Sequence, residues 1–419
     1  MTKFAFLLLC LLGLFFAAAC SEQNVPSEPT PLRRPPIAED VGLSIPDEII
    51  TLSLQIEITG HRLALHEPHV GIFTGAYIKR DTTTSGIKAF EDALGAEHAI
   101  FAYTMTLDGE YPLRWVLENI SLQKTPFIMV LPPEDGFVYD TRLVAELAAN
   151  VGRFDVPMFV NLFPLLAGHD FVPAEYIEFF RHARGIFAKY APNAALVWGF
   201  DAQKTALAME FYPGRDAADW IHLIIYNDVD ANGRFQDFFA HIDLFYLVFQ
   251  HEGPLVISTA VSHYSLANNT YFTREAAEKI TYIYSRLPEY PRIRAIIYRN
   301  YSDLQGSGHK YTINTAADIS TAYAAALSAP HFLASVISTA HAEEATLRIH
   351  SPFRAIMRNS YFYIPARALI YDARFPYLQV LEGKGIKIGT EVFYAMADIN
   401  RVSGADFFVD MERRTLVLR

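Results

Sequence analysis

Cysteine is nearly absent from this chain. The 419 residues hold two, Cys10 and Cys20. Both fall within the first twenty positions, so the body has no thiol for a disulfide, a cysteine-based zinc site or a nucleophile. Tryptophan is scarce as well, at three, against 31 Phe and 23 Tyr. Runs of Lys or Arg are missing and the net charge is −11. A nucleic-acid footprint needs a basic patch, so nucleic acid is not an expected partner. The first apolar strand pattern ends Phe73-Thr74-Gly75-Ala76-Tyr77, which lacks the glycine spacing of a dinucleotide turn. His169, His263 and Ser262 could suggest a Ser/His arrangement, but there is no Gly-x-Ser-x-Gly elbow. The last 74 residues carry a single histidine, His350, too little for a metal site. No metal and no cofactor is expected.

What is present begins with an address. Lys3 supplies a positive start, Phe4 to Phe16 an apolar run too short to span a bilayer comfortably, and Ala17-Ala18-Ala19 small residues before Cys20. A cysteine directly after small residues, opening a polar Pro-rich tail, resembles the lipobox of bacterial lipoproteins. The resemblance implies a lipoprotein signal peptide over residues 1–20, with Cys20 acylated and left as the new N-terminus, an ordinary signal peptide with an incidental cysteine being the alternative. The mature chain would be membrane-anchored and extracytoplasmic, at the cell surface or on the periplasmic face. Residues 21–40 are rich in Pro, Ser and Glu without apolar period and read as a disordered tether.

The body is built to bury a large core: 51% of residues are hydrophobic and the mean hydropathy is +0.14. From His69 strand and helix patterns alternate. The strand segments are His69–Tyr77, His98–Met105, Pro126–Leu131, Pro157–Phe163, Ala195–Phe200, Ile221–Tyr226, Pro254–Ala260 and Arg294–Asn300. Each is short and almost wholly apolar, as strands buried on both faces are. Amphipathic stretches lie between them: Ser85–Gly95, Pro112–Gln123, Asp140–Phe154, Pro173–Tyr190, Gly233–Gln250, Thr273–Leu287 and Asp318–Val336. Eight such units in about 250 residues predict an α/β fold, a (β/α)8 TIM barrel, over an open doubly wound sheet. The barrel domain is expected at 41–337. Its leading alternating run, Ile50 to Ile58, should form a strand of a hairpin or cap on the barrel base. Composition changes near Ser338 to Ala345. Residues 346–419, with short strand-like runs and a helical run at Glu391 to Ser403, predict a small α+β C-terminal module.

Ala195 to Asn227 organises the site: an apolar strand ending in Asp201, a Tyr212-Pro213-Gly214 turn, Asp219-Trp220, then a strand ending Tyr226-Asn227-Asp228. Trp198, Tyr212-Pro213-Gly214, Asp219-Trp220 and Tyr226-Asn227 resemble, in order and spacing, the strand-5 to strand-6 segment of glycoside hydrolase family 26, the β-mannanase clan. Pro173 to Phe187 and Ile293 to Asp303 agree, and the likeness covers His69 to Val336. The tail segments Tyr361 to Leu369 and Val392 to Arg419 resemble a copper amine oxidase N-terminal-like stalk module, which carries no copper site by itself.

The first resemblance implies two catalytic glutamates, after strands 4 and 7, where a retaining glycosidase sets its carboxylates about 5–5.5 Å apart. Here those places fall at Pro164 or Leu165 and at Ser258 or Thr259. Acids that could stand in follow other strands: Glu134, Asp135, Asp170, Asp201, Asp228 and Asp303. Asp201 and Asp228 are the best compensating pair, although loop aspartates more often bond their own turn. His241 and His251, after strand 6, read as surface or packing residues. A sugar-facing groove would draw on Trp198, Tyr212, Tyr226, Tyr264, Tyr298 and Tyr301, with the amides Asn161, Asn227 and Asn300. Three functions are compatible: a barrel that binds a polysaccharide or other envelope glycan without cleaving it, a divergent glycosidase using relocated carboxylates on a β-mannan-like or exopolysaccharide substrate, or a non-catalytic envelope scaffold.

Overall fold

The structure is a computed structural model that describes residues 48–79, 86–133, 140–166, 171–250, 252–337, 344–365, 385–388, 391–404 and 406–418. Its centre is a closed parallel barrel. The strands are β2 (Ile72–Ile78), β3 (Ile100–Thr106), β4 (Thr125–Leu131), β5 (Met158–Leu162), β6 (Ala194–Asp201), β7 (Trp220–Asn227), β8 (Leu255–Val261) and, after two short strands, β11 (Ile293–Asn300). Neighbours pair in chain order, and β11 returns to β2 in parallel register from Ala295↔Phe73 to Asn300↔Ile78. The eight strands form the expected (β/α)8 barrel.

Strand alternation sorts side chains between two cores. Phe73, Ile100, Ala102, Phe127, Phe159, Ala195, Val197, Trp220, Val256, Ala295 and Ile297 fill the barrel interior. The intervening residues face the helices α1 (Ile87–Leu94), α2 (Leu113–Ser121), α3 (Thr141–Val151), α4 (Pro173–Tyr190), α6 (Phe238–Phe249), α7 (Thr273–Arg286) and α8 (Ala317–Leu327). Asp140 caps α3 by accepting from the Arg142 and Leu143 amides, and Pro173 opens α4 where its missing N–H costs nothing. Only short helical turns, including α5 (Thr205–Ala208), link β6 to β7.

The N-terminal strand departs from expectation. β1 (Glu48–Arg62) runs antiparallel to β15 (Glu344–Arg358), from Glu48↔Met357 to Arg62↔Glu344. It thus belongs to the sheet of the C-terminal module. β16 (Tyr361–Pro365), β17 (Ile386–Ile388), β18 (Glu391–Ala395), β19 (Phe407–Asp410) and β20 (Thr415–Leu418) complete that sheet in the order β17-β18-β16-β15-β1-β20-β19. Alternation marks a strand facing a core on one side, but it does not name the partner. The helical stretch expected from Glu391 divides into β18 and α9 (Met396–Ser403), which closes on Gly404 at φ +66. Of the short strand-like runs expected in the tail, the one at 377–383 lies outside the described residues.

The segment after β1 does seal the barrel base. Leu65 enters the interior core, and its carbonyl accepts from Trp220 Nε1 at 2.8 Å. Glu67, wholly buried, accepts from Arg292 Nη1 at 2.5 Å and from the Ala64 amide at 3.0 Å, with Arg294 Nε 3.8 Å away. β14 (Phe332–Leu333) lies parallel to β2 at Ile72 and Phe73. At the opposite end, the loops after β8 and β11 form a small sheet from β9 (Tyr264–Ser265), β10 (Thr270–Tyr271), β12 (Ser302–Asp303) and β13 (His309–Lys310).

Candidate functional site

The C-terminal ends of the strands form the mouth, the end of such a barrel where sites are built. Beneath it lies a polar layer. Asn161 on β5 bonds His222 Nδ1 on β7 at 2.8 Å, and His222 Nε2 bonds Ser258 Oγ on β8 at 2.7 Å. With Asn161 donating, the ring carries its proton on Nε2 and donates to the serine. Gly199 on the intervening β6 leaves room for this bridge: a Cβ there would stand 2.8 Å from Asn161 Nδ2. All three side chains are buried. Burial, followed by the charge of Arg299, pushes the His222 pKa down to about 3.

Above this layer Arg299, on β11, lies among tyrosines. Its guanidinium carbon is 4.6 Å from the Tyr77 ring centroid, 5.8 Å from Tyr226 and 5.9 Å from Tyr301. Tyr301 meets Tyr77 edge-on at 6.2 Å and Tyr311 at 5.2 Å. Tyr226 meets Tyr311 at 5.7 Å. Burial raises the phenol pKa values of both Tyr301 and Tyr311. Two acids stand near. Asp201 ends β6 and caps the next turn, accepting from the Gln203 amide at 2.9 Å. Burial holds its carboxyl above the usual range, against the Gln203 bond and the charges of His241, Arg299 and Lys204. Asp228 is exposed and accepts from Tyr311 Oη at 2.6 Å.

A cleft of about 880 Å³ opens beside the mouth, lined by Ile78, Phe101, Tyr103, Tyr111, Arg114 and Trp115 among others. Ala102 lines it too and pairs with Tyr77 across β2 and β3. Tyr103 and Trp115 pack at 5.2 Å with a 40° tilt. The buried Tyr111 hydroxyl has no hydrogen-bond partner, and burial pushes its pKa to about 12.

Among described residues, no cluster of three or more His, Cys, Asp or Glu could hold a metal ion, and no helix is long and apolar enough to cross a membrane. No family model and no curated protein matches the chain. Solved structures do align with it. A modular endo-β-1,4-mannanase from Cellulomonas fimi is 13% identical, covers 68% of this chain and 81% of its own, and gives a TM-score of 0.48. The catalytic domain of an endo-β-1,4-mannanase from Bacillus sp. JAMB-750 is 12% identical over 66% and 94%, with a TM-score of 0.49. A family 26 β-mannanase from Bacteroides ovatus is 13% identical over 63% and 90%, with a TM-score of 0.45. At such scores and identities the likeness says nothing of this site's chemistry.

The expected groove residues divide by strand face. Tyr226 lies in the mouth, and Asn161 beneath it in the polar layer. Trp198 points outward instead, wholly buried against Phe200, Tyr212 and Phe249. Tyr212 lies in the same outer cluster and donates to Glu252 at 3.2 Å. Asn227 faces the outer side and donates to Thr259 Oγ1 and the Ala260 carbonyl. Asn300 accepts from the Ile313 amide and holds a loop. Tyr298 is buried between Val261 and Tyr323. Tyr264 belongs to the small upper sheet, while Tyr301 is in the mouth. An even-numbered residue on β6 and an odd-numbered one on β7 both face the helices, which excludes Trp198 and Asn227 from the mouth.

The other segment residues explain the architecture. Asp219 bonds Arg184 on α4 at 2.5 Å and the Leu196 amide at 2.8 Å. Arg181 donates to the Pro213 carbonyl, and Gly214 adopts φ +98, a conformation that favours glycine. Of the two expected glutamate places, Leu165 bridges to β6 and Pro164 is buried, while Ser258 faces inward and Thr259 outward. Asp303 accepts from the Gly306 and Ser307 amides of its own turn. Ser262 bonds His309 Nδ1 at 3.0 Å, and burial lowers the His263 pKa to about 4. Cys20, Glu134, Asp135, His169, Asp170 and His251 lie outside the described residues. Sequence reasoning passed over His222, Arg299, Tyr77 and Tyr311, and the Tyr103–Trp115 pair. For the first two a signal existed, a polar residue of inward parity inside an otherwise apolar strand.

Proposed function

We propose that this chain is a cell-envelope lipoprotein whose barrel binds a polysaccharide at its mouth without cleaving it. The observation that carries the reading is the mouth itself: tyrosines 77, 226 and 301 surround Arg299, Tyr311 packs on Tyr226 and Tyr301, Asp201 caps the turn after β6 and Asp228 is bonded to Tyr311. Aromatic faces with polar tips suit sugar rings. Hydrolysis asks for two carboxylates facing each other within about 5–9.5 Å. Asp201 pairs in register with Ile224. Asp228 lies four residues beyond that register position, just past the end of β7, which is about 13 Å of extended strand. The resemblance of Ala195–Asn227 to glycoside hydrolase family 26, together with the lipobox-like Cys20, supports an extracytoplasmic glycan as partner. Hydrolysis by a relocated acid is the second reading, favoured by the raised carboxyl of Asp201.

A glycan array probed with the purified full chain in detergent, followed by reducing-sugar release on each bound glycan, separates the readings. Binding that Tyr226→Ala weakens at least tenfold, with no sugar released, is the expected result. Release that Asp201→Asn abolishes would replace binding by catalysis, and an array without any hit would leave only a scaffold. The anchor is read separately: Cys20→Ser should move the protein from the membrane pellet to the soluble fraction and end labelling by a palmitate analogue. An unchanged distribution would refute lipidation.

A further inference from the structure

Arg299 differs from the other buried and part-buried arginines around the barrel. Arg292, just before β11, and Arg294, on it, share the buried Glu67 at the base. Arg184 pairs with Asp219, and Arg286 with Glu289. Among the described residues Arg299 meets neither a carboxylate nor a hydrogen-bond acceptor. Its Nε is buried without a partner; the rings of Tyr77, Tyr226 and Tyr301 lie against the guanidinium, and Asp201 and His222 feel its charge without bonding it. Ring faces attract a cation, but they leave guanidinium N–H groups unsatisfied. A part-buried cation held this way is costly unless something accepts its hydrogen bonds. The planar fork matches one group above all, an oxyanion taken in two parallel bonds.

We infer that the barrel mouth is a binding site for an acidic saccharide, with the carboxylate of a uronic acid-type residue on Arg299 and its sugar ring among the surrounding tyrosines. This rests on the reading of the mouth as a glycan site. A singly charged carboxylate fits better than a phosphate dianion because the mouth also holds Asp201, coupled to Arg299 through its charge, and Asp228 on Tyr311. Each extra negative charge on the ligand adds repulsion from those two acids. The site therefore selects for one negative charge, delivered at the guanidinium.

The test is calorimetric titration of the full chain in detergent with tetragalacturonate and with neutral mannotetraose, at low and high NaCl. The acidic tetraose should bind at least tenfold more tightly and lose affinity as salt rises. Arg299→Met should bring the ratio of the two affinities down to about one, with Arg299→Lys intermediate. Equal binding of the two tetraoses by the parent protein overturns the proposal, and so does a salt-insensitive preference; both need no variant and hold even if Arg299→Met fails to fold. Unchanged tetragalacturonate affinity in a folded Arg299→Met does the same. If mannotetraose binds and Tyr226→Ala abolishes it while charge makes no difference, the glycan site stands and only the acidic preference falls. If neither tetraose binds, both fall.

Discussion

His222 has an amide on one ring nitrogen and a serine on the other, the order in which an open site would set an orienting group, a base and a nucleophile. The tautomer and burial both remove that chemistry, since Nε2 already carries a proton and donates it to the serine. A ring whose pKa is near 3 cannot hold a proton taken from Ser258 at neutral pH, and Ser258 has almost no exposed surface for a substrate to reach. What the layer retains is a pH dependence. Burial lowers the pKa of His222 to about 3 and of His263 to about 4, and lowers that of His98 against the opposing pull of Glu91. Unfolded histidine titrates near 6.5. Between that value and the folded ones the unfolded chain binds more protons, so stability is full above about pH 6.5 and is lost as pH falls toward 4. Asp201 acts in the opposite sense, since burial raises its carboxyl pKa and it takes up a proton more readily when folded. His222 alone should remove about 1 kcal/mol between pH 7 and pH 5.5. Denaturant titrations at those two pH values should show this loss, and His222→Gln, which can still bond both neighbours, should shrink it by about that amount. An equal pH dependence in the variant would remove His222 from the account.

At the scale of elements, the barrel was legible because eight apolar strands alternating with amphipathic helices leave few other solutions. The face of each strand was less legible. In Ala195–Asn227 the most recognisable residues, Trp198, Tyr212, Asp219 and Trp220, pack wall to helix or seal the base. They mark the segment because they build it. Site residues need only the right parity and depth, and His222 and Arg299 satisfy both inside runs that otherwise read as core. Counting parity from Trp220 would have placed His222 and Tyr226 inside and Asn227 outside. Tyr77 reaches Arg299, and Tyr311 the rings of Tyr226 and Tyr301, from strands and loops distant in the chain, which no local pattern encodes. The same limit hid the partner of β1, since alternation is local and the pairing with β15 spans nearly three hundred residues.

At the scale of the whole molecule, that pairing ties the two ends of the chain together across the barrel. β1 lies between β15 and β20 in the interior of a seven-stranded sheet, and Leu65 and Glu67 follow it directly into the barrel base. Ile50 and Leu52 of β1 share one hydrophobic core with Phe353, Ala355 and Leu416 of the module and with the outer wall of the barrel. A chain truncated after residue 337 would keep β1 and lose both of its neighbours. A long strand with two open edges and apolar side chains recruits other chains. Such a truncation should elute as oligomers or precipitate, whereas trimming residues 1–62 as well should restore a monomer with a single cooperative melt, because the plug and the buried Glu67–Arg292 pair are retained. Light scattering and differential scanning calorimetry distinguish the two. If the singly truncated chain is monomeric and melts with the intact protein, β1 draws its stability from the barrel rather than from β15. If the doubly trimmed chain fails to fold, the barrel depends on the module for more than covering an edge. The two truncations thus decide whether the module is a passenger on the barrel or the clamp that holds its base closed.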